Sequence, residues 1–154
     1  MGAEDFGDID KMLLLVVNFS ERVRSVRLQK IALLIKASVN SKLNYIHNPY
    51  YLGGFSDEIE EETTALHEEG YLTHDASGFK LSVDGKKEVQ RIIREEPVEA
   101  KKIEGIITTL HEFSDRELTA LTYKLFPELT DKSVIKESME KIMDKLPVVE
   151  LDSK

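Results

Sequence analysis

The sequence predicts an α+β fold that is mostly α-helical, and three observations support this prediction. Apolar residues recur at steps of three and four along several segments, which is the spacing of one face of an α-helix. Helix-capping residues stand at the starts of such segments, as in the capping box Ser114 to Glu117. One segment, YLTHDASGFKLSV at 71–83, instead has two strand-like runs around the turn Asp75-Ala76-Ser77-Gly78.

Two helices and an extended segment are predicted at the N-terminal end. DIDKMLLLVVNFS at 8–20 predicts a mostly buried helix. SVRLQKIALLIKAS at 25–38 predicts a second helix with Ser25 as its N-cap. Its apolar stripe consists of Leu28, Ile31, Ala32, Ile35 and Val39. KLNYIHNPYYLGG at 42–54 predicts a strand or loop, because Pro49 and two glycines disfavour a helix.

A third helix is predicted over 56–69, SDEIEEETTALHEE. Ser56 is a typical N-cap residue, and Asp57 and Glu58 suit the positive end of the helix dipole. Gly70 is suited to the left-handed position that ends many helices. The inward face is predicted to consist of Ile59, Thr63 and Leu66.

The predicted hairpin at 71–83 is followed by a fourth helix, GKKEVQRIIREE, with Asp84 as its cap. This order of three helices, a hairpin and a helix over residues 8–94 is typical of a winged helix-turn-helix domain. Residues 95–146 predict a C-terminal helical segment, packed on that domain or on a second chain. Its helices are predicted to begin at Pro97, after Ser114 and near Asp131, and we expect residues 147–154 to form a flexible tail.

Composition excludes several function classes. The chain has 154 residues and no cysteine, so it has no disulfide, thiolate metal site or cysteine nucleophile. No apolar run approaches the roughly 20 residues of a membrane span, and we expect a cytoplasmic protein. No phosphate-binding glycine motif occurs, and no two of the four histidines have metal-ligand spacing. We therefore expect no cofactor, no metal and no enzymatic activity.

The net charge of −8 is unevenly distributed. Residues 20–94 contain eleven acidic and eleven basic residues, but seven of these acids lie on the predicted helix 56–69, which has no Lys or Arg. In winged helix-turn-helix proteins the helix before the wing usually enters the DNA major groove, where carboxylates would be repelled by phosphate. The acidic side of this helix is therefore interpreted as a solvated face or a protein-binding face, and DNA reading through it is the least favoured alternative.

A protein-binding face would combine these acids with neighbouring aromatic residues as apolar anchors. The predicted interface residues are Tyr50, Tyr51, Phe55, Asp57, Glu58, Glu60, Glu61 and Glu68. An alternative is a DNA-binding regulator that holds phosphates elsewhere, through Arg22, Arg24, Arg27, Lys30, Lys80, Lys86, Lys87 and Arg91. If these cations do not bind DNA, we expect them to neutralise the acidic helix, either within one chain or between the two chains of a homodimer.

Short motifs resemble those of the YwgA-like proteins, a prokaryotic group that is similar to the Panacea antitoxins and proteolysis adaptors. They are Leu28-Gln29-Lys30; Tyr45, Tyr50 and Tyr51 before Gly53-Gly54-Phe55-Ser56; Leu66, Gly70 and Tyr71; Leu81, Asp84 and Gly85; and Leu118, Tyr123 and Phe126-Pro127-Glu128. Gly54 departs from the proline of that family. The resemblance implies a regulator or adaptor that grips a partner protein and does not perform catalysis.

Overall fold

The protein is an α+β structure, mostly helical, in a computed structural model that describes residues 6–38, 43, 45–50, 53–129, 139, 142 and 144. Six long helices and two antiparallel two-stranded sheets lie within these ranges. The helices are α1 (Asp8–Ser20), α2 (Ser25–Ser38), α3 (Asp57–Glu68), α4 (Val83–Glu95), α5 (Pro97–Leu110) and α6 (Asp115–Leu125). The strands are β1 (Asn48–Tyr50), β2 (Gly53–Phe55), β3 (Leu72–Asp75) and β4 (Gly78–Leu81), and a 3₁₀ turn covers Pro127–Leu129.

Helix α1 forms the centre of the hydrophobic core. All side chains from Met12 to Val17 are buried, so the middle of this helix is enclosed on every side. It packs against α3, α4, α5 and β4. Because burying one large aliphatic side chain contributes about 1.5–3 kcal/mol, this short apolar run is a major source of the stability of the fold.

The predicted apolar stripes of the next helices are confirmed. The described members of the α2 stripe, Leu28, Ile31, Ala32 and Ile35, are buried, as is the whole predicted inward face of α3. Val39 lies outside the described residues. Ser25 is the first residue of α2 and not its cap. Gly70 has φ +88°, which is the left-handed conformation expected after α3.

The N-cap of α4 is Ser82, and the prediction of Asp84 was wrong. The Ser82 hydroxyl accepts a hydrogen bond from the Gly85 N–H at 3.0 Å and donates one to the Gly70 carbonyl at 2.6 Å. Ser82 therefore joins the start of α4 to the end of α3, which only the folded chain brings together. Asp84 lies in the first turn of the helix, where its charge is favoured by the dipole.

The segment predicted as a strand or loop at 42–54 contributes to a hairpin. Strands β1 and β2 pair antiparallel, with Asn48 opposite Phe55 and Tyr50 opposite Gly53. The hairpin packs on α2, α6 and the 3₁₀ turn. It therefore stands between α2 and α3, directly before the acidic helix.

The second hairpin, β3–β4, is attached to the connection between α1 and α2. Val23 and Phe79 exchange two backbone hydrogen bonds of 3.0 and 2.8 Å. Gly78 permits this contact, because a Cβ atom at Gly78 would lie 2.5 Å from the Val23 carbonyl oxygen. Its φ of +112° is also one that side-chain-bearing residues rarely adopt.

Helices α5 and α6 pack on the same chain, α5 against α1 and α6 against α2 and β2. Ile103 and Leu110 of α5 belong to the core that surrounds α1. The capping box at Ser114 and Glu117 is confirmed. The last predicted helix and the tail fall mostly outside the described residues, although Met139 and Ile142 are helical and Met139 is buried near Ala120 and Tyr123.

Two helical glycines lead to opposite predictions for the same substitution. A Cβ atom at Gly85 would lie 2.1 Å from the Tyr71 carbonyl oxygen, whereas one at Gly105 would meet nothing within 4 Å. We expect Gly85→Ala to lower the free energy of unfolding by about 1–3 kcal/mol, because the hairpin must move away from α4. We expect Gly105→Ala to raise it by about 0.5–1 kcal/mol. Urea denaturation measures both, and shifts of the same sign would contradict this packing.

Candidate functional site

The outward face of α3 is a continuous acidic surface. Asp57, Glu61, Thr64 and Glu68 follow each other at helical steps of three or four, Glu60 lies beside them, and all five are exposed. We call these residues the α3 face. The opposite side of the helix is fixed by the buried residues Ile59 and Leu66, so its orientation is set by the core. Four of the predicted interface residues therefore share one solvent-facing stripe.

No α3 carboxylate forms an ion pair with Lys or Arg in the part of the chain that the structure describes. The pairs found there are Lys11–Glu96, Arg27–Asp115, Lys80–Asp75, Arg91–Glu88, Arg91–Glu95 and Lys101–Glu104. Like charges four residues apart destabilise a helix, as at Asp57 and Glu61. Glu68 also lies at the negative end of the helix dipole. The helix dipole favours Asp57 and Glu60 in the first turn, but no ion pair within the described residues offsets the charges of Glu61 and Glu68.

Glu58 has a structural contact that the sequence did not predict. It is half-buried, and its Oε1 accepts a hydrogen bond of 3.0 Å from the backbone N–H of Ile46. This contact brings Ile46 next to α3 with its apolar side chain 61% exposed. Sequence reasoning missed Ile46 because the segment around it has no periodic pattern to mark an exposed apolar residue.

The predicted aromatic anchors have different positions. Phe55, in β2, is half-buried. Tyr45 is 1% exposed and its hydroxyl donates to the Ala32 carbonyl, so it belongs to the core. Tyr50 is the last residue of β1, and Tyr51 lies outside the described residues.

The position of the α3 face depends on Gln29 in α2. The side-chain amide of Gln29 donates to the Ser56 carbonyl at 3.0 Å and accepts from the Ser56 N–H at 2.9 Å. The Ser56 hydroxyl in turn accepts from the Ile59 N–H and caps α3. One buried amide therefore fixes the residue at which α3 begins. We call these contacts the Gln29 clamp.

Lys30 holds the hairpin from inside the protein. Its ammonium donates to the Gly54 carbonyl at 3.2 Å, and the residue is only 2% exposed. Burial lowers the pKa of Lys30 to about 8. The prediction of Lys30 as a phosphate contact was therefore wrong, because its side chain is directed into the core.

His47 completes this interior polar group. Its Nε2 lies 3.2 Å from the Gln29 carbonyl oxygen, so Nε2 carries the proton and donates it. Nδ1 is buried and has no hydrogen-bond partner among the residues that the structure describes. Burial is the main cause that lowers the pKa of His47 to about 4, and the charges of Lys36 and Lys30 act in the same direction. The imidazole is therefore neutral at neutral pH.

Two further predicted DNA contacts are occupied by bonds within the chain. Arg27 donates to the Leu110 and Phe113 carbonyls at 2.9 Å and to Asp115 at 3.0 Å, which joins α2 to the end of α5 and the start of α6. Arg91 is bound to Glu88 and Glu95 on its own helix. These pairs compete with any contact to phosphate. The exposed members of the predicted cationic set are Arg22, Arg24, Lys86 and Lys87, and the Lys80 side chain is 43% exposed.

Folding brings His67 and His74 together although they are separated in sequence. Their ring centroids are 6.2 Å apart, and His74 lies against Phe79 at 4.4 Å. Among the residues that the structure describes, no group of three or more His, Cys, Asp and Glu side chains is placed to hold a metal ion. The two imidazoles form a surface contact between α3 and the β3–β4 hairpin.

Neither a protein-family model, nor a curated protein, nor a solved structure matches this chain at a significant level. In the described ranges, no helix combines the length and the apolar character that crossing a membrane requires. A functional proposal for the chain therefore depends on its own residues.

The burial of Lys30 predicts a pH dependence of stability. Between pH 8 and 10.5 the unfolded chain keeps the lysine proton that the folded chain has lost, so stability rises with pH. From pH 8 to 9.5 the rise is about 2 kcal/mol. We expect Lys30→Met to abolish this rise in urea denaturation, while the exposed control Lys102→Met retains it. An identical pH profile for Lys30→Met and the wild type would show that the ammonium is not buried.

A pair of carboxyl groups predicts the opposite trend at lower pH. The hydrogen bond between Glu62 and Asp10, partial burial, and the charges of Asp10, Glu61 and Glu69 raise the pKa of Glu62 to about 7. The stabilisation that protonated Glu62 contributes is complete below its ordinary pKa and is lost as the pH rises through 7. We therefore expect Glu62→Gln to become more stable than the wild type between pH 5 and 8. The exposed control Glu60→Gln should show a smaller change, and equal changes in both variants would contradict the pair.

Proposed function

We propose that this chain is a noncatalytic regulator or adaptor that binds a protein partner through the α3 face. The observation that carries the proposal is the lack of any ion pair between the exposed α3 carboxylates and the Lys and Arg residues of the described chain. A partner surface rich in Lys and Arg would relieve the repulsion along this helix. A location in the cytoplasm stays a prediction that follows from the absence of cysteine.

We further propose that α1 to α4 with the β3–β4 hairpin form a winged helix-turn-helix. The order of helices and hairpin supports this, and so does the Val23–Phe79 bridge, which adds a third extended segment beside the hairpin. In that arrangement α3 is the helix directly before the wing. It is the helix that a DNA-binding member of the fold would insert into the major groove.

Electrostatics argues against this use of α3. Each carboxylate brought within about 4 Å of a phosphate costs roughly 1 kcal/mol even at water-like screening. A strong DNA-binding protein instead makes about 6–10 favourable phosphate contacts. With Asp57, Glu60, Glu61 and Glu68 all exposed on one stripe, the contribution of α3 to DNA affinity is negative.

Apolar side chains beside the α3 face support a protein partner. Ile46 is largely exposed next to Glu58, and Phe55 is half-buried at the start of the same surface. Protein interfaces commonly combine such an apolar centre with charges at the rim. Tyr50 and Tyr51 remain proposed anchors of the same surface. A second copy of this chain is one partner with suitable cations.

The resemblance to YwgA-like and Panacea-type proteins stays part of the proposal. It implies partner binding without catalysis, in agreement with the acidic surface. The Gln29 clamp and the hydrogen bond of the buried Lys30 also give the Leu28-Gln29-Lys30 motif a physical role. These residues hold the segment that leads into α3 and do not contact the partner themselves.

The second candidate function is DNA binding through a different surface. Arg22 and Arg24 are exposed on either side of Val23, which is bonded to the wing strand β4. Lys86 and Lys87 are exposed at the start of α4. Phosphate contacts by these four residues would leave α3 away from the groove.

The proposal is tested with a lysine-rich helical peptide as the probe, measured by fluorescence anisotropy at low and high salt. We expect salt-sensitive binding by the wild type and at least tenfold weaker binding by Glu60→Lys/Glu61→Lys, because two carboxylate contacts of about 1 kcal/mol each are lost. The matched control is Glu112→Lys/Glu128→Lys, which changes the net charge equally at two other exposed sites. We expect little effect from this control.

Equal weakening by both double variants would mean that the peptide responds to net charge alone, and the α3 face would lose its role. A parallel titration with random duplex DNA tests the second candidate function, which is DNA binding. Salt-sensitive DNA binding by the wild type that is lost in Arg22→Glu/Arg24→Glu would favour a DNA-binding protein.

A further inference from the structure

A polar cleft of about 510 Å³ lies away from α3, at the junction of two helix connections. The connection between α1 and α2 forms one side, and the connection between α5 and α6 forms the other. Its lining consists of Ser20, Glu21, Arg22, Arg27, Ile31, Ile107, Leu110, His111, Phe113, Ser114 and Asp115. Pockets for small ligands have volumes of about 300–1,000 Å³, so this cleft is large enough to hold one.

Arg27 is held rigidly at the wall of the cleft. Three N–H donors of its guanidinium are bound to the Leu110 carbonyl, the Phe113 carbonyl and the Asp115 carboxylate. A guanidinium has five donors, so two remain for a further acceptor. The Leu110 carbonyl belongs to the end of α5 and the Phe113 carbonyl to the segment that follows it, and the guanidinium offsets the negative end of the α5 dipole. A fixed cation of this kind is a preorganised partner for a carboxylate.

Glu21 has the one strained backbone among the non-glycine residues that the structure describes. Its φ of +67° and ψ of −49° lie near the rare γ-turn conformation. The conformation is held from both sides, because the Glu21 N–H donates to the Asn18 carbonyl at 3.3 Å and Val23 is bonded to Phe79. Glu21 and Arg22 are thereby presented from a constrained turn at the edge of the cleft.

The charges of the cleft come in opposite pairs. Two guanidinium groups, from Arg22 and Arg27, accompany two carboxylates, from Glu21 and Asp115. Neither Glu21 nor Arg22 has an ion pair within the described chain. The cleft therefore offers an anion and a cation that form no ion pair within the described residues, although the charge of Arg22 also acts on Asp75. An anionic or cationic ligand alone would not satisfy both.

The remaining lining combines four apolar residues with the polar residues Ser20, His111 and Ser114. Ile31, Ile107, Leu110 and Phe113 face the same cleft from α2, α5 and the segment that follows α5. From this combination we propose that the cleft binds a small zwitterion with an apolar side chain, which is the chemistry of an apolar α-amino acid. Arg22 and Arg27 receive the ligand carboxylate, Glu21 and Asp115 receive the ammonium, and Phe113, the half-buried member of the apolar lining, contacts the side chain.

This inference does not depend on the proposed function of α3. The cleft joins the α1–α2 connection, which carries the wing contact at Val23, to the C-terminal helices α5 and α6. Binding there stabilises the folded chain by mass action. It is therefore measurable in the isolated protein without any partner.

The test uses L-leucine as the probe, with isothermal titration calorimetry and the thermal unfolding midpoint as readouts. Three comparison compounds each lack one feature: isovalerate lacks the ammonium, isoamylamine lacks the carboxylate, and glycine lacks the apolar side chain. We expect L-leucine to bind and to raise the midpoint, and each comparison compound to bind at least about tenfold more weakly. Amide chemical-shift changes in NMR spectra should be centred on Glu21, Arg22 and His111.

Two variants test the residue assignment. Arg22→Gln and Glu21→Gln remove one charge each from exposed side chains, and each should weaken L-leucine binding about tenfold or more. Lys86→Gln and Glu60→Gln are the matched controls, because they remove the same charges elsewhere and should leave binding unchanged. The absence of L-leucine binding to the wild type at millimolar concentration would overturn the proposal. So would isovalerate binding as tightly as L-leucine, which would indicate a simple anion site.

Discussion

The hydrogen bonds between the Gln29 side chain and the Ser56 backbone are the constraint on which the acidic surface depends. A side-chain amide has one acceptor and two donors, so it can satisfy a backbone N–H and a backbone carbonyl at the same residue. All these groups are buried. Leaving a buried polar group without a partner costs about 1–3 kcal/mol, so the clamp restricts the chain to the conformation that satisfies both bonds. The direction in which α3 leaves the hairpin follows from it.

One turn of α2 organises three parts of the molecule. Arg27 binds the end of α5 and the start of α6, Gln29 fixes the start of α3, and Lys30 holds the hairpin at Gly54. Because consecutive helical residues project in different directions, these three side chains reach three different elements. The cleft and the α3 face are therefore separate surfaces that depend on the same short segment. Charged and basic groups are also separated in space. The basic side chains of Lys30 and His47 lie beneath the hairpin, and carboxylates cover the exposed side of α3.

The pattern of hydrophobic residues was sufficient to predict the helices, the β3–β4 hairpin and the buried sides of α2 and α3. The capping box at Ser114 and the left-handed Gly70 were also predictable, because local chemistry determines both. The β1–β2 pairing was not, since Pro49 and the adjacent glycines leave no alternating pattern. The burial of Lys30 and the bonds of Arg27 within the chain could not be predicted, for a related reason. A lysine or arginine on an amphipathic helix usually faces solvent, and nothing local indicates that a backbone carbonyl will meet it.

What the sequence by itself determined is the set of elements and the concentration of acids on α3, because both follow from residue spacing within one segment. The tertiary structure decided which charges remain available. It buried Lys30, committed Arg27 and Arg91 to bonds within the chain, and left Arg22 and the α3 carboxylates exposed. It also created the cleft, whose lining comes from two connections that are more than 80 residues apart. The physical reason is that burial and ion pairing depend on distances between segments, which residue spacing within a single segment does not specify.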